Sequence, residues 1–275
     1  FTDKLKILKL NRHLKKKSIS DIFKTPETTT LTYLQTLGFS EAMLHDFFKP
    51  FFSGIFLEPN LETSSRMFEF VYKMFGDGLA VIPKSGMQAI SNQLKDGLKN
   101  TTIVLNSPVK EVKNKTIILQ DGTEIESHFT IIATEASLLV ANLKNQETDW
   151  KSCDTLYFET TKRTIQNPLI SLVADKNALI NNLFYHTSIK TKTTGNDELL
   201  SVTIVKNHSL TEEKLIEKVI EELHVFCGIR NPTFLKHYQI KKALPKLENL
   251  QYELSSTETK LTSSIFLAGD QLLNA

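Results

Sequence analysis

The segment that most constrains the fold is a short apolar run near the end of the chain. Residues 263–268 have the length of a strand, and Gly269 and Asp270 follow directly. Glycine has no Cβ, so its backbone can approach a ligand closely, and the aspartate can accept hydrogen bonds from sugar hydroxyls. The order fits an ordinary buried strand with a Gly-Asp turn. It also fits a strand end that contacts a cofactor, with Asn274 and Ala275 beginning a phosphate-facing helix.

A second informative segment spans residues 81–136. Residues 86–98 have helical spacing, with one apolar face formed by Met87, Ile90, Leu94 and Leu98. Residues 101–105 are predicted to be a strand, and Asp121-Gly122 predicts a hairpin turn. The apolar run 129–133 is typical of a strand that is buried on both faces.

The remaining parts of the chain differ in character. Residues 1–75 read as mainly helical, and the helix that begins after Ser40 is expected to end at Pro50. Residues 150–245 contain several strand-length runs and one amphipathic helix over 211–226. Consecutive strands with a single helix predict a mainly antiparallel sheet.

Several motifs occur in an order that resembles a known family. They are Pro-x-x-Gly-Met-x-x-Ile from Pro83, Ser-Pro-Val-Lys-Glu-Val from Ser107, the Asp-Gly hairpin, Ile-Ile-Ala-Thr from Ile131 and Phe-Leu-Ala-Gly-Asp from Phe266. In this order the chain resembles the flavin-containing amine oxidase superfamily, in its phytoene desaturase and protoporphyrinogen oxidase branch. The segments 52–56, 61–65 and 243–245 are similar to further pieces of that branch.

The resemblance implies an α/β fold in which a partial Rossmann-like FAD-binding domain is interleaved with a substrate domain of antiparallel sheet and helices. The implied substrate domain comprises residues 1–75 and 146–255, and the FAD-binding domain comprises 76–145 and 256–275. None of the ten glycines forms the G-x-G-x-x-G turn with which the family begins, and the first residue is Phe. An internal fragment, without the first nucleotide-binding unit and the last flavin helix, is therefore expected.

The resemblance also implies the site residues, with FAD as the cofactor. Val109 matches the position whose backbone pairs with adenine, whereas Ala133 and Thr134 match small residues near the pyrophosphate loop. Gly269 and Asp270 match the flavin contact, with Asp270 near the ribityl or phosphate part. No catalytic residue can be assigned, and Lys242 and Lys246 are interpreted as surface lysines.

Residues 39–75 contain nine phenylalanines, most of which are expected to form core. The segment 51–56 leaves helical spacing, so Phe51, Phe52 and Phe56 are predicted to line a cavity for a large apolar substrate.

The composition limits the kinds of binding partner and the cellular location that can be predicted for this protein. A net charge of +2 does not imply nucleic acid, and two cysteines suit a reducing, cytoplasmic location. The seven histidines have no metal-type spacing, so no metal is predicted.

Residues 4–17 are basic, with Leu5, Leu8 and Leu14 able to share a face. They predict either a solvated helix or peripheral contact with an anionic membrane. The oligomeric state stays open.

The predicted function is that of an FAD-dependent oxidoreductase removing hydride from a bulky apolar compound, such as a carotenoid, terpenoid or porphyrinogen. One alternative is a non-catalytic flavoprotein-like scaffold or isoprenoid-lipid-binding protein. Another is a true amine oxidase, although Trp150 is the sole tryptophan and an aromatic cage is not evident.

Overall fold

The computed structural model describes residues 2–140, 149–189, 195, 197–246, 250, 252–253, 257–270 and 272. The helix predicted to begin at Asn274 and Ala275 lies outside the described residues. The chain divides into two compact units, one of residues 1–93 and 151–244 and the other of residues 94–150 and 245–275. Both helices and sheets are present, which confirms the predicted α/β class. The finer assignment of domains to FAD and substrate stays a prediction.

The first unit begins with a series of short helices. They are α1 (Thr2–Lys16), α2 (Ile19–Lys24), α3 (Thr30–Thr36), α4 (Glu41–Met43), α5 (Lys49–Phe56) and α6 (Ser65–Asp77). Hydroxyl side chains start several of them, because an N-cap oxygen accepts a backbone N–H that has no partner within the helix. The predicted cap at Ser40 is confirmed, since its Oγ accepts from the Met43 amide at 3.2 Å.

The prediction that Pro50 ends this helix is wrong. A π-helical turn, Leu44–Phe48, follows α4, and α5 continues from Lys49 with Pro50 in its first turn. A proline at this position costs the helix little, because the first amides of a helix segment have no hydrogen-bond acceptor within their own turn. The helix instead ends at Leu57, whose φ of 50° leaves the helical region.

An aromatic core joins these helices. Its buried members are Leu10, Leu14, Leu34, Phe39, Leu44, Phe48, Phe52, Phe56, Leu61 and Phe68. The rings of Phe52 and Phe68 lie 4.7 Å apart, and those of Phe39 and Phe48 lie 4.8 Å apart edge to face. Such pairs contribute about 0.5–1.5 kcal/mol beyond the area that they bury.

A five-stranded sheet completes the first unit. Its strands are β5 (Trp150–Thr160), β6 (Ser171–Leu172), β7 (Ile180–Tyr185), β8 (Glu198–Ile204) and β9 (Thr233–Pro245), in the order β6-β7-β8-β5-β9. The pairs β6–β7, β7–β8 and β5–β8 are antiparallel, as predicted. Helix α8 (Glu212–Cys227) packs on one face, where Leu215, Val219 and Leu223 meet Leu156 and Phe158.

The second unit contains two small sheets. Strands β1 (Val109–Lys113), β2 (Thr116–Leu119) and β3 (Glu124–Glu126) form an antiparallel meander, with the predicted Asp121-Gly122 turn between β2 and β3. Gly122 has a φ of 88°, which glycine adopts without strain. Strands β4 (Thr130–Ile132) and β10 (Ile265–Leu267) pair in parallel.

Two predictions for this region need correction. The run 129–133 is buried on one face only, because Thr130 and Ile132 are buried while Phe129 and Ile131 are 69% and 68% exposed. Residues 101–105 pair with no strand in the described part of the chain, and an apolar run needs a hydrogen-bonded neighbour to become a strand. Helix α7 (Gln88–Gly97) forms within the predicted range, but its apolar residues Ile90 and Leu94 are exposed, as are Met87 and Leu98 at its two ends.

Candidate functional site

The carboxyl ends of β4 and β10 bring together four of the residues that the sequence singled out. Ala133 and Thr134 directly follow β4, while Gly269 and Asp270 follow Ala268 at the end of β10. Parallel strands present their carboxyl ends at the same edge of a sheet, which is where ligands bind in open α/β folds. The Ala268 amide donates to the Ile132 carbonyl at 2.9 Å, so the pairing extends to this edge.

Gly269 is a position that suits only glycine. Its φ is +124°, a region that side chains rarely adopt. A Cβ built there would have the Ala133 carbonyl oxygen as its neighbour, at 3.9 Å. Gly269, Asp270, Ala133 and Thr134 are all exposed, so bare backbone and one carboxylate face outward together.

The chemistry of these residues suits the ribityl and phosphate parts of FAD, to which the sequence analysis assigned them. A ribityl chain offers hydroxyl groups, and an exposed carboxylate accepts from them. Small residues and a glycine let the backbone approach a phosphate or a sugar closely. The chemistry of the strand ends therefore fits a flavin nucleotide, although the contacts themselves stay a prediction.

Val109 lies apart from these strand ends, in the meander. It opposes Leu119 of β2, and the register between β1 and β2 shifts directly after it. Its side chain packs against the buried cluster that contains Ile132 and Ile265. Its predicted role in adenine binding depends on backbone groups and stays a prediction.

The three phenylalanines proposed for the substrate cavity belong to α5 in the first unit. Phe52 and Phe56 are 0% and 4% exposed within the aromatic core, and Phe51 is half-buried and stacks on Phe47 at 5.5 Å. The expectation that this run leaves helical spacing is wrong, because residues 49–56 form one helix. A role for the three rings in lining a cavity stays a prediction.

The sheet of the first unit has a second face that the sequence analysis did not identify. Residues of β5, β7 and β8 alternate, so those between the α8-facing positions point the other way. We call this side the open face and define it by Tyr157, Phe184, His186, Ser201 and Tyr238; farther along β7, α5 covers the same side at Asn182. The signal was present in the order Leu156-Tyr157-Phe158, where an aromatic residue separates two core residues.

Aromatic rings dominate the open face. Tyr157 lies 5.8 Å from the His186 ring and 5.9 Å from the Tyr238 ring, and Phe184 lies 5.2 Å from His186. The Nε2 atom of His186 is 2.9 Å from the Ser201 hydroxyl. Burial lowers the pKa of His186 below its ordinary value, which favours the neutral imidazole.

A groove of about 440 Å³ runs along β5 and β9 at the edge of the open face. It is lined by Thr155, Tyr157, Leu235, Lys236, Tyr238 and Ile240. The Lys236 ammonium lies 5.8 Å from the centroid of the Tyr238 ring, a cation–π distance. The groove is thus an apolar and aromatic trough with one cation at its rim.

The described part of the chain has no group of three or more histidine, cysteine or acidic side chains arranged to hold a metal. Among the same residues, no helix is both long and apolar enough to cross a bilayer. Each unit therefore offers its own candidate feature, an exposed strand edge in the second unit and an aromatic sheet face in the first.

Comparison with known proteins identifies the family. The family model of flavin containing amine oxidoreductases matches residues 2–259. The chain belongs to this family. The resemblance deduced from the sequence motifs is therefore confirmed, and the members of the family are flavin-containing oxidoreductases. No curated protein matches the chain.

Solved structures share the fold at low sequence identity. An oxidoreductase from Methanosarcina mazei is 15% identical with a TM-score of 0.72, covering 98% of this chain and 68% of its own. A protein assigned as a protoporphyrinogen oxidase from Exiguobacterium is 14% identical with a TM-score of 0.64, covering 90% and 63%. A reduced UDP-galactopyranose mutase is 12% identical with a TM-score of 0.58, covering 81% and 57%. The chain thus spans 57–68% of the length of these structures.

Proposed function

We propose that the complete protein is an FAD-dependent oxidoreductase that removes hydride from a bulky apolar compound, such as a carotenoid, a terpenoid or a porphyrinogen. Family membership supports the reaction class. The observation that carries the substrate class is the open face, where the aromatic rings of Tyr157 and Tyr238 also line the adjoining groove.

The chemistry divides between the cofactor and the chain. FAD, when bound, supplies the hydride acceptor, so the protein needs no nucleophile of its own. The exposed strand ends, with Gly269 and Asp270, would hold the ribityl or phosphate part of FAD. The open face would bind and orient the substrate, since burying apolar surface contributes about 25 cal/mol per Å².

The charge at the groove favours this substrate class over an amine. Lys236 lies at cation–π distance from the Tyr238 ring. An ammonium substrate would need a carboxylate partner or a free aromatic face. Here the aromatic face already has a cation near it, whereas a carboxylate on an apolar substrate would be attracted to Lys236.

The test is anaerobic flavin reduction in the complete protein. The panel contains isoprenoid hydrocarbons, porphyrinogens, which carry carboxylates, and small amines. We expect bleaching of the flavin by apolar compounds. Rapid bleaching by a small amine alone would contradict the substrate class and leave the flavin chemistry intact. A protein that retains FAD but is reduced by none of the panel would support a non-catalytic role.

Variants on the open face locate the substrate. Tyr157→Ala and Tyr238→Ala should raise the substrate concentration for half-maximal reduction about tenfold, because each deletes a large apolar contact. The matched control is Val225→Ala, which removes an exposed apolar side chain from α8 on the other side of the sheet. Equal effects of all three changes would remove the open face from the substrate site.

A further inference from the structure

The outward face of α1 is both basic and apolar. Its exposed residues include the five cations Lys4, Lys9, Arg12, Lys15 and Lys16. Between them lie Leu5 and Leu8, which are 53% and 63% exposed. The one acidic residue of the helix, Asp3, is half-buried and accepts hydrogen bonds from the amide and hydroxyl of Ser40 at 3.0 and 2.6 Å. The outward face therefore has no acidic side chain.

The opposite side of α1 packs into the helical core, which directs the basic face toward solvent. Leu10 and Leu14 are 3% and 1% exposed in the helical core, so the opposite side of α1 is held against the protein. The Lys73 ammonium donates to the Leu14 carbonyl at 3.0 Å, which ties the end of α1 to α6. The sequence grouped Leu5, Leu8 and Leu14 on one face, but the structure separates buried Leu14 from the two exposed leucines.

Other cations near α1 are already engaged. Lys6 donates to the Gly38 carbonyl, and the Lys17 ammonium lies 2.5 Å from a carboxylate oxygen of buried Glu69. They hold the helix in place. The five outward cations are thus a separate set, which helical spacing aligns along one side.

We propose that this face of α1 docks on an anionic lipid surface. Each lysine or arginine near such a surface strengthens binding about fivefold, and exposed leucines add apolar contact at the acyl boundary. Leucines among the cations favour a lipid surface over nucleic acid, because phosphates alone would leave Leu5 and Leu8 without an apolar partner. This inference does not depend on the proposed oxidoreductase activity.

The experiment is co-sedimentation of the complete protein with phosphatidylcholine vesicles that contain or lack phosphatidylserine. We expect binding only to the vesicles with phosphatidylserine, and weaker binding at high salt. The triple change Lys9→Gln, Arg12→Gln, Lys16→Gln should weaken it on the order of a hundredfold. The double change Leu5→Ser, Leu8→Ser should weaken it as well while leaving the charge dependence in place.

The matched control removes the same charge elsewhere. Lys84, Lys95 and Lys110 are exposed lysines outside α1, and their triple change to Gln should leave vesicle binding within about twofold of wild type. Circular dichroism and thermal unfolding check that all variants fold. Absent binding of the wild type, or equal losses in both triple variants, would overturn the proposal. Leucine variants that bind like wild type, or stronger binding to an RNA oligonucleotide than to the vesicles, would overturn the assignment to lipid.

Discussion

A Cβ atom on Gly54 would lie 2.8 Å from the Oδ1 atom of Asn182. Gly54 belongs to α5 and Asn182 to β7, so this glycine sets how closely the helix approaches the strand. The same Cβ would lie 2.8 Å from Asn181 Nδ2, which already donates to the Pro50 carbonyl and to Asn182 Oδ1, each at 2.9 Å. Moving the Asn181 side chain would therefore break its buried hydrogen bond to Pro50 and its bond to Asn182.

Gly54→Ala should destabilise the protein by about 1–3 kcal/mol, because it overpacks the contact between α5 and β7. The control is Gly76→Ala in α6, where a new Cβ would meet nothing within 4 Å. Alanine is the better helix former, so this control should stabilise by about 0.5–1 kcal/mol. Urea unfolding measures both, and a Gly54 variant as stable as wild type would show that the contact is adaptable.

Glu222→Ala should destabilise the protein by about 3 kcal/mol, because it leaves two backbone donors without an acceptor. The Glu222 carboxylate, 2% exposed, accepts from the amides of Leu179 and Ile180 at 2.9–3.0 Å and so joins α8 to β7. Its neighbour Glu221 pairs with Lys218 at the surface, so Glu221→Ala should cost less than about 1 kcal/mol. Similar unfolding free energies for the two variants would contradict this role of Glu222.

Asp270→Ala in the complete protein should weaken FAD retention by about 1.5–3 kcal/mol if the carboxylate makes a charge-assisted hydrogen bond. The bound flavin is quantified by absorbance after gel filtration and by titration of the apoprotein. Glu124→Ala removes an exposed carboxylate from β3 and should leave the flavin content unchanged. An Asp270 variant with wild-type flavin content would exclude Asp270 from the cofactor site.

Protonation of His186 should make the protein less stable in mild acid. Burial lowers its pKa below the ordinary value of 6.5, so the unfolded chain takes up this proton first as the pH falls. The stability that neutral His186 contributes is fully present above pH 6.5. It declines as the pH falls from 6.5 toward the pKa of His186 in the folded protein. His186→Gln should flatten the fall in Tm over this range, whereas His13→Gln, at an exposed site on α1, should not. An identical pH profile for wild type and His186→Gln would refute this account.

Both cysteines should react slowly with disulfide reagents. Burial raises the pKa of Cys227 to about 11, with a smaller contribution from Glu222, and burial followed by the Asp154 charge raises that of Cys153. Because the thiolate is the reactive form, Cys227 should react about 100-fold more slowly at pH 8 than an ordinary thiol. Stopped-flow labelling of Cys153→Ser isolates this rate. Unfolding in urea should raise the labelling rate of Cys227 to that of an ordinary thiol. Fast labelling of the folded variant would show that Cys227 is accessible.

Local sequence signals predicted some elements correctly. The Ser40 cap and the Asp121-Gly122 turn each depend on only a few adjacent residues. The apolar run before Gly269 also formed a strand, as β10. The motif order was specific enough to give the family, because it combined signals from separate segments.

Other features depended on residues far apart in the chain. Whether Ile131 is covered or exposed depends on the elements that pack on β4, and residues 101–105 needed a neighbouring strand to pair with. Pro50 falls in the first turn of α5, after a π-helical turn that no local pattern predicts. The aromatic open face combines residues of four strands, β5, β7, β8 and β9, with the turn that follows β7.

The sequence by itself thus determined most element types, though not that of residues 101–105, together with the turn at Asp121-Gly122. Capping groups, φ preferences and apolar periodicity act over a few residues, and the order of several such motifs gave the family. Only the tertiary structure decided which faces are covered, which strands pair, and that Tyr157, His186 and Tyr238 share one surface. The physical reason is that burial and strand pairing are interactions between segments, and their energies depend on neighbours that a local pattern does not specify.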